Sequence, residues 1–379
     1  MIYNNLIPQK KIWEELLLKA DKNKIPNAMI FHGVKGIGKE AYAIEFSAYL
    51  NCSQKNESSA CGNCPSCMKT IKFQHEDIYH ILPLPSSRKK TDDPIENLDP
   101  KSLDELNTLY LKKSKDPYQA IELEKANTIL LNSIRYLKKK LYLTSSSSNW
   151  NIVIITEAEK LCIPNSQPAN ALLKILEEPP DKTIFILTTS NYNQIIDTIK
   201  SRCQPIYFPK IKKEDIILKY SEKNKKEDIN LAYNLFCGNL NLINKNIDNI
   251  NKIKNNLESI TNAIVTEELS NWSILLEQKN SKQKNTMISH LTLMTIVFRD
   301  FSFVSECKSF NHLLIPHMID IYLNKIQNFP NANWSECINI VESTIENLNR
   351  NINPELELYS FLMNINDCLK GKLINRLAS

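Results

Sequence analysis

The chain has 379 residues, of which 42% are hydrophobic and 23% are charged. That length predicts two or three domains, and the composition excludes a largely disordered chain. The 47 basic and 42 acidic residues give a net charge of +5, which does not demand the concentrated basic face of a duplex-binding protein. No apolar stretch approaches the length of a transmembrane helix, and the N-terminal sequence lacks the order of a secretion signal. We therefore expect a cytoplasmic protein without membrane contact.

Strands and helices alternate along the first 209 residues. Helical spacing of apolar residues predicts helices over 10–21, 41–50, 129–143 and 168–178. Apolar runs predict strands over 28–31, 77–82, 152–155, 183–188 and 206–208. This alternation predicts an α/β domain with a doubly wound parallel sheet and helices on both faces.

The segment of about 83–127 interrupts this pattern. It contains five prolines and many charged residues. We interpret it as a surface insertion with one short helix around Leu103, Leu106 and Tyr110. Nothing in its sequence indicates a function.

The signal for strands disappears after about residue 210. The sequence over 210–254 predicts a small helical domain. Apolar residues spaced by three and four recur in 255–379 and predict an all-helical C-terminal domain. The expected organisation is therefore an α/β domain over 1–209, then two helical domains.

A glycine-rich loop follows the first predicted strand. Gly33, Gly36, Gly38 and Lys39 fit the phosphate-binding pattern G-x-x-x-x-G-K, in which backbone N–H groups and the lysine bind phosphates. The next position normally holds Ser or Thr, whose hydroxyl binds Mg²⁺. Here it is Glu40, whose carboxylate would face the phosphates. The loop indicates descent from a nucleotide site, with ordinary strand-to-helix geometry as the alternative.

A second departure follows the strand 152–155. A nucleotide hydrolase carries a metal-binding carboxylate there, followed by a residue that polarises water. The first position is Thr156, and Glu157 occupies the second. Glu40 and Thr156 both stand where groups that hold the same metal ion are expected. We therefore expect that ATP with Mg²⁺ is either not bound or bound without hydrolysis. The alternative for Glu157 is a solvated acid in a first helical turn.

Four of the ten cysteines cluster at 52–67. Their spacing, C-x8-C-x2-C-x2-C, suits tetrahedral Zn²⁺, and iron–sulfur ligation is the alternative. Their neighbours are polar, which disfavours unliganded core cysteines. We expect a structural Zn²⁺ site with four ligands: Cys52, Cys61, Cys64 and Cys67.

The chain resembles bacterial clamp-loader subunits, which are AAA+ relatives in the DNA polymerase III holoenzyme. The resemblance rests on NAMIFHGVKGIGKE, the four-cysteine knuckle, IVIITEAEKL, NALLKILEEPPDKTIFILTTSN and IKSRCQPIYF. Two later motifs, FRD at 298–300 and NRNINPELELYSFLM at 349–363, resemble the collar domain of the family. The resemblance implies an AAA+ domain with a zinc knuckle over 1–209, a helical lid over 210–254 and a helical collar for oligomerisation over 255–379. The segment 83–127 departs from the family.

Within that family, the departures favour the delta-prime type over the tau/gamma motor type. The motor type keeps an intact GK[ST] loop and an acidic pair, whereas this chain has Glu40 and Thr156. The lid motif after Gly238 also lacks the arginine that commonly senses nucleotide. We therefore expect that the chain is not itself an ATPase.

The resemblance also implies a role for Arg202, in the motif Ser201-Arg202-Cys203. An arginine there reaches into the ATP site of a neighbouring subunit, where a guanidinium neutralises charge on the transferred phosphoryl group. Implied partners are the tau/gamma and delta subunits and, indirectly, the sliding clamp and primer–template DNA. The alternative interpretation is that Arg202 is an ordinary surface arginine.

Two other functions stay open from the sequence. One is an active tau/gamma-type ATPase with unusual metal ligation through Glu40. The weaker one is a zinc-containing DNA-binding protein outside replication. The modest net charge disfavours the latter.

Overall fold

The computed structural model describes residues 1–21, 25–87, 91–143, 149–265, 283–306, 310, 313–349 and 353–372. The chain divides into two compact units. The first unit comprises Met1–Lys223 and Phe236–Lys245, and the second comprises Asn224–Leu235 and Asn246–Ser379. Within the described ranges, no helix combines the length and apolar character that a membrane crossing requires. The predicted boundaries after residues 209 and 254 stay predictions.

A five-stranded parallel sheet lies at the centre of the first unit. Its strands are β1 (Ala28–His32), β2 (Ile78–Ile81), β3 (Asn151–Ile155), β4 (Thr183–Thr189) and β5 (Gln204–Tyr207). Their order in the sheet is β2-β3-β4-β1-β5, and every neighbouring pair is parallel. All residues of β3 and β4 are buried, as continuous apolar runs at the centre of a parallel sheet should be. The predicted parallel α/β sheet is confirmed.

Helices precede, connect and follow these strands in the first unit. They are α1 (Lys10–Asp21), α2 (Lys39–Asn51), α3 (Pro65–Ile71), α4 (Pro100–Lys115), α5 (Leu131–Leu143), α6 (Gln167–Glu177), α7 (Asp197–Lys200) and α8 (Lys213–Tyr220). Residues 236–245 add most of α10 (Leu240–Asn246). The carboxyl ends of β1, β3 and β4 lead into the loops that form the candidate site.

The segment of about 83–127 is more ordered than its proline content predicts. Its helix, α4, spans 16 residues and begins at Pro100, with the Asp99 carboxylate accepting from the Ser102 N–H. A cluster of buried apolar residues supports the segment, namely Leu82, Leu84, Leu98, Leu106, Ile121, Leu123 and Ala126. The interpretation as a surface insertion with one short helix was therefore incomplete, because the segment packs its own hydrophobic cluster.

The described residues of the second unit are mainly helical. Its helices are α9 (Lys226–Leu235), α11 (Ile250–Val265), α12 (Gln283–Glu306), α13 (Ile319–Ile326), α14 (Trp334–Asn349) and α15 (Pro354–Leu369). The Trp334 ring stacks on Phe301 with centroids 4.5 Å apart. The buried Asp300 carboxylate accepts from the N–H groups of Leu314 and Ile315, each at 2.9 Å. Residues 350–352 of the late collar-like motif lie outside the described residues.

Candidate functional site

The glycine loop occupies the position that the sequence predicts, between β1 and α2. Gly36 has a φ of +77°, and a Cβ atom there would lie 1.8 Å from the Asn239 Oδ1. The Leu240 N–H also donates to the Gly36 carbonyl at 3.1 Å. Only glycine therefore permits residues 236–245 to lie directly against the loop.

Lys39 points into its own loop. Its Nζ donates to the carbonyls of Gly33 at 2.8 Å and Val34 at 2.7 Å, and to the Ser190 Oγ at 3.3 Å. Burial lowers the pKa of Lys39 to about 8, against the opposing effect of the Glu40 and Glu159 carboxylates. The ammonium group predicted to reach phosphates is thus bound by the protein.

Glu40 lies in the first turn of α2, and its carboxylate is paired. Its Oε2 lies 3.0 Å from the Nζ of Lys113 on α4, which also donates to the Pro117 carbonyl at 2.8 Å. The Lys113 side chain is 3% exposed and that of Glu40 is 24% exposed. A lysine ammonium group therefore lies beside the position where a working loop has its Mg²⁺-binding hydroxyl.

Thr156 and Glu157 follow β3, as predicted. Thr156 is buried, and its N–H donates to the Ile81 carbonyl at 2.9 Å. Glu157 has a left-handed backbone with φ 49°, and its carboxylate lies 2.9 Å from the Lys160 Nζ and 3.8 Å from the Lys35 Nζ. Its carboxylate is therefore already occupied by two lysines.

The space left at this loop is small. A cavity of about 50 Å³ lies between the glycine loop, the end of β4 and residues 113–122. Glu157, Thr188, Thr189 and Asn241 also line it. Pockets for small ligands usually hold roughly 300–1,000 Å³, whereas this cavity suits a few water molecules.

Arg202 lies apart from that cavity, just after α7. Its Nη2 lies 2.6 Å from the Glu177 Oε1 at the end of α6, and its Nη1 donates to the Thr198 carbonyl at 3.0 Å. Its side chain is 36% exposed. The guanidinium is thus at the surface of the first unit and held by an exposed carboxylate.

The four clustered cysteines come together as predicted. Their Sγ atoms all lie within 4.8 Å of one another, and the Cys52–Cys64 and Cys61–Cys67 pairs are each 3.9 Å apart. Zinc–sulfur bonds of about 2.3 Å in a tetrahedron place sulfurs about 3.8 Å apart. These distances fit one tetrahedral metal ion, so the four cysteines could bind a metal.

Local backbone structure orients these thiols. Cys52 follows α2, while Cys64 and Cys67 lie at the start of α3. The N–H groups of Asn63 and Cys64 donate to the Cys61 Sγ and lower the pKa of that thiol. Such hydrogen bonds favour the thiolate, the form that binds metals.

Sequence reasoning missed Lys113, Tyr118 and Asn239. Lys113 is 73 positions from Glu40, and no local pattern connects the two residues. The one sequence signal for Lys113 was the acidic residue in the phosphate loop. A carboxylate that is partly buried requires a cationic partner.

A family match covers most of the first unit. A profile of the family described as "DNA polymerase III, delta subunit" matches residues 8–212, more than half of the chain. The chain belongs to this family. The predicted resemblance to clamp-loader subunits of DNA polymerase III is therefore confirmed.

Two of three relatives compared with this DNA polymerase III family member are described as subunits of DNA polymerase III. The delta' subunit of DNA polymerase III from Buchnera aphidicola subsp. Schizaphis graminum is 24% identical over 358 residues, which covers 93% of this chain and 94% of that protein. The gamma/tau subunit from Mycoplasma genitalium is 25% identical over 60% of this chain. Protein STICHEL of Arabidopsis thaliana is 30% identical over 65% of this chain. The chain spans only 31% and 16% of the length of the last two.

Solved structures were matched as well. A DNA polymerase III gamma subunit-related protein from Thermotoga maritima aligns over 94% of this chain and 99% of its own, with 17% identity and a TM-score of 0.41.

Proposed function

We propose that the chain is a delta-prime-like clamp-loader subunit that does not hydrolyse ATP and supplies Arg202 to a neighbouring motor subunit. One observation carries the proposal. The Glu40 carboxylate, where a Mg²⁺-binding hydroxyl belongs, pairs with the Lys113 ammonium group at 3.0 Å. Thr156 replaces the second metal ligand, so the site lacks both groups that would hold Mg²⁺.

Arg202 has the guanidinium group that the ATP site of a neighbouring subunit would need. A guanidinium supplied from another subunit stabilises negative charge on the transferred phosphoryl group. Its present partner is the Glu177 carboxylate, and the two side chains are 36% and 49% exposed. Exposed ion pairs contribute only about 0–1 kcal/mol, so exchanging that carboxylate for a phosphate costs little.

The assembly is proposed from the family. The AAA+ domain would cover 1–209, the lid 210–254, and the collar 255–379 would join the chain to tau/gamma and delta subunits. Through them it would act on the sliding clamp and primer–template DNA. Two of the relatives described above are named delta' and gamma/tau subunits of DNA polymerase III, which supports subunits of that kind as partners.

The cysteine cluster would hold a structural Zn²⁺. All four ligands come from the protein, which leaves no open position for substrate or water. The ion would fix the knuckle between α2 and α3. It would take no part in ATP chemistry.

A motor-type ATPase is the second candidate. The similarity to the gamma/tau subunit over 60% of this chain favours it. The Glu40–Lys113 pair counts against it, because a carboxylate neutralised by lysine is a poor Mg²⁺ ligand.

Calorimetric titration and phosphate-release assays with the purified chain separate the two candidates. We expect no turnover with ATP and Mg²⁺, and no effect of Lys39→Ala on the background rate. Saturable, Mg²⁺-dependent hydrolysis that Lys39→Ala abolishes would instead make the chain a motor subunit.

A further inference from the structure

Residues 113–122, here called the bridging segment, lie against the glycine loop. Lys113 pairs with Glu40 at 3.0 Å, and Glu122 pairs with the Lys35 Nζ at 2.5 Å. A Cβ atom on Gly38 would lie 3.2 Å from the Tyr118 ring. The segment therefore pairs with Lys35 and Glu40 of the loop, and its Tyr118 ring lies beside the backbone of Gly38.

The same segment contacts the helices that follow the sheet. The Asp116 Oδ2 accepts from the Asn244 Nδ2 at 2.8 Å, and the Lys219 Nζ lies 4.3 Å from the centre of the Tyr118 ring. The Tyr118 hydroxyl also accepts from the Ile7 N–H at 2.7 Å. All of these residues belong to the first unit, so the segment connects the loop with α8 and with residues 236–245.

The charges of the segment match those of the ligand such a loop binds. A phosphate loop binds a polyanion, and a divalent cation neutralises that ligand beside the residue at position 40. Here Glu122 supplies an anionic group to the loop residue Lys35, and Lys113 supplies a cationic group beside Glu40. One stretch of chain thus provides both signs of charge without nucleotide or metal.

We propose that the bridging segment is an intramolecular substitute for nucleotide. It pairs with Lys35 and Glu40 beside the phosphate-loop site, narrows that site to the small cavity described above, and connects α8 and residues 236–245 with the loop. The first unit then keeps one conformation whether or not ATP is present. This inference depends neither on Arg202 nor on assembly with other subunits, so it can fail while the proposed function stands.

Hydrogen–deuterium exchange on the full chain tests the proposal through Lys113→Ala. Loss of the ammonium group leaves Glu40 without its cation and loosens the segment. We expect amide exchange at residues 33–40 and at 236–245 to rise together, each by at least about tenfold. Lys101→Ala is the control, because it removes the exposed Lys101–Glu124 pair from the same helix and should leave both regions unchanged.

Glu122→Gln gives a second variant with little risk to folding, because the Glu122 side chain is 43% exposed. It should raise exchange in the same two regions, by about two- to fivefold. If either folded variant raised exchange only within 113–122, the segment would not support the loop, and the proposal would be wrong. If Lys113→Ala did not fold, Glu122→Gln and the nucleotide measurement would decide.

The nucleotide measurement uses millimolar ATP with Mg²⁺ on the wild-type chain. We expect unchanged exchange at 33–40 and at 113–122. Protection of 33–40 together with faster exchange at 113–122 would show that ATP displaces the segment. The segment would then be a removable lid, and the proposal would be overturned.

Discussion

Position 40 shows how a carboxylate in a phosphate-loop motif can be accommodated by the fold. A carboxylate with low exposure is costly when it lacks a partner, and Lys113 supplies one from a distant helix. Lys39 is also held within the protein, because its Nζ donates to the carbonyls of Gly33 and Val34. Charges that would serve a nucleotide thus serve the protein itself.

Lys113→Ala should destabilise the first unit. The change leaves the Glu40 carboxylate, 24% exposed, without its cation. We expect the free energy of unfolding to fall by about 1–3 kcal/mol, because partial exposure moderates the cost of an unpaired charge. Urea denaturation measures this, and Lys101→Ala should change it by less than about 0.5 kcal/mol. Equal effects of the two changes would contradict the account of Glu40.

His80 should contribute to acid sensitivity. Its ring packs near Phe73 and Tyr110, with centroids 4.8 Å and 6.4 Å away. Burial, with a smaller effect of Lys113, lowers the pKa of His80 from 6.5 to about 4. Between these two values the unfolded chain binds the proton and the folded chain does not, so stability falls as pH falls from 6.5 to 4.

His80→Gln should reduce that loss. We expect the drop in unfolding free energy between pH 6.5 and pH 4 to shrink by at most about 3 kcal/mol relative to wild type. Chemical denaturation at a series of pH values measures the difference. Parallel pH profiles for the two proteins would show that His80 titrates normally.

At the scale of elements, apolar runs predicted the sheet well. The runs at 152–155 and 183–188 form most of β3 and β4. Both strands are buried along their whole length, which is typical of continuous apolar runs in a parallel sheet. The helix α4 was underestimated because prolines suggested a loop. Pro100 in fact occupies the first helical turn, where its missing N–H costs nothing.

The site was predicted less completely than the sheet. The four cysteines were found because ligand spacing is local, and their thiols do converge. The contacts of Lys113 with Glu40 and of Asn239 with Gly36 join distant parts of the chain. Periodicity and motif spacing carry no information on such pairs, so only the folded structure shows them.

The cysteine knuckle should contain one metal ion per chain. Elemental analysis of protein purified without chelator should give close to one zinc per chain, because four convergent thiols complete a tetrahedral site. Cys61→Ser should lower the metal content and the thermal stability. Cys237→Ser, at an exposed cysteine outside the cluster, is the matched control. Full metal content in Cys61→Ser would exclude a four-cysteine site.

At the scale of the whole molecule, the chain combines a glycine loop whose charged side chains are paired within the protein with an arginine at the surface of the first unit. The alignment with a delta' subunit spans 93% of the chain, including the helical second unit. A subunit of this kind can act in an ATP-driven assembly without hydrolysing ATP. Its contribution would then be a fixed conformation and one guanidinium group.

The Arg202→Ala change in a complex reconstituted with the motor and delta subunits of the same organism tests this account most directly. The measurement is the rate of clamp loading, alongside ATP hydrolysis and complex assembly. We predict normal assembly, with clamp loading reduced by at least about tenfold and lower ATP hydrolysis, because a trans arginine stabilises the transition state. Arg202→Lys should not restore the rate, since lysine lacks the planar fork. Lys210→Ala, at an exposed position beyond β5, should have no effect. Clamp loading and ATP hydrolysis at wild-type rates in an assembled Arg202→Ala complex would contradict the account.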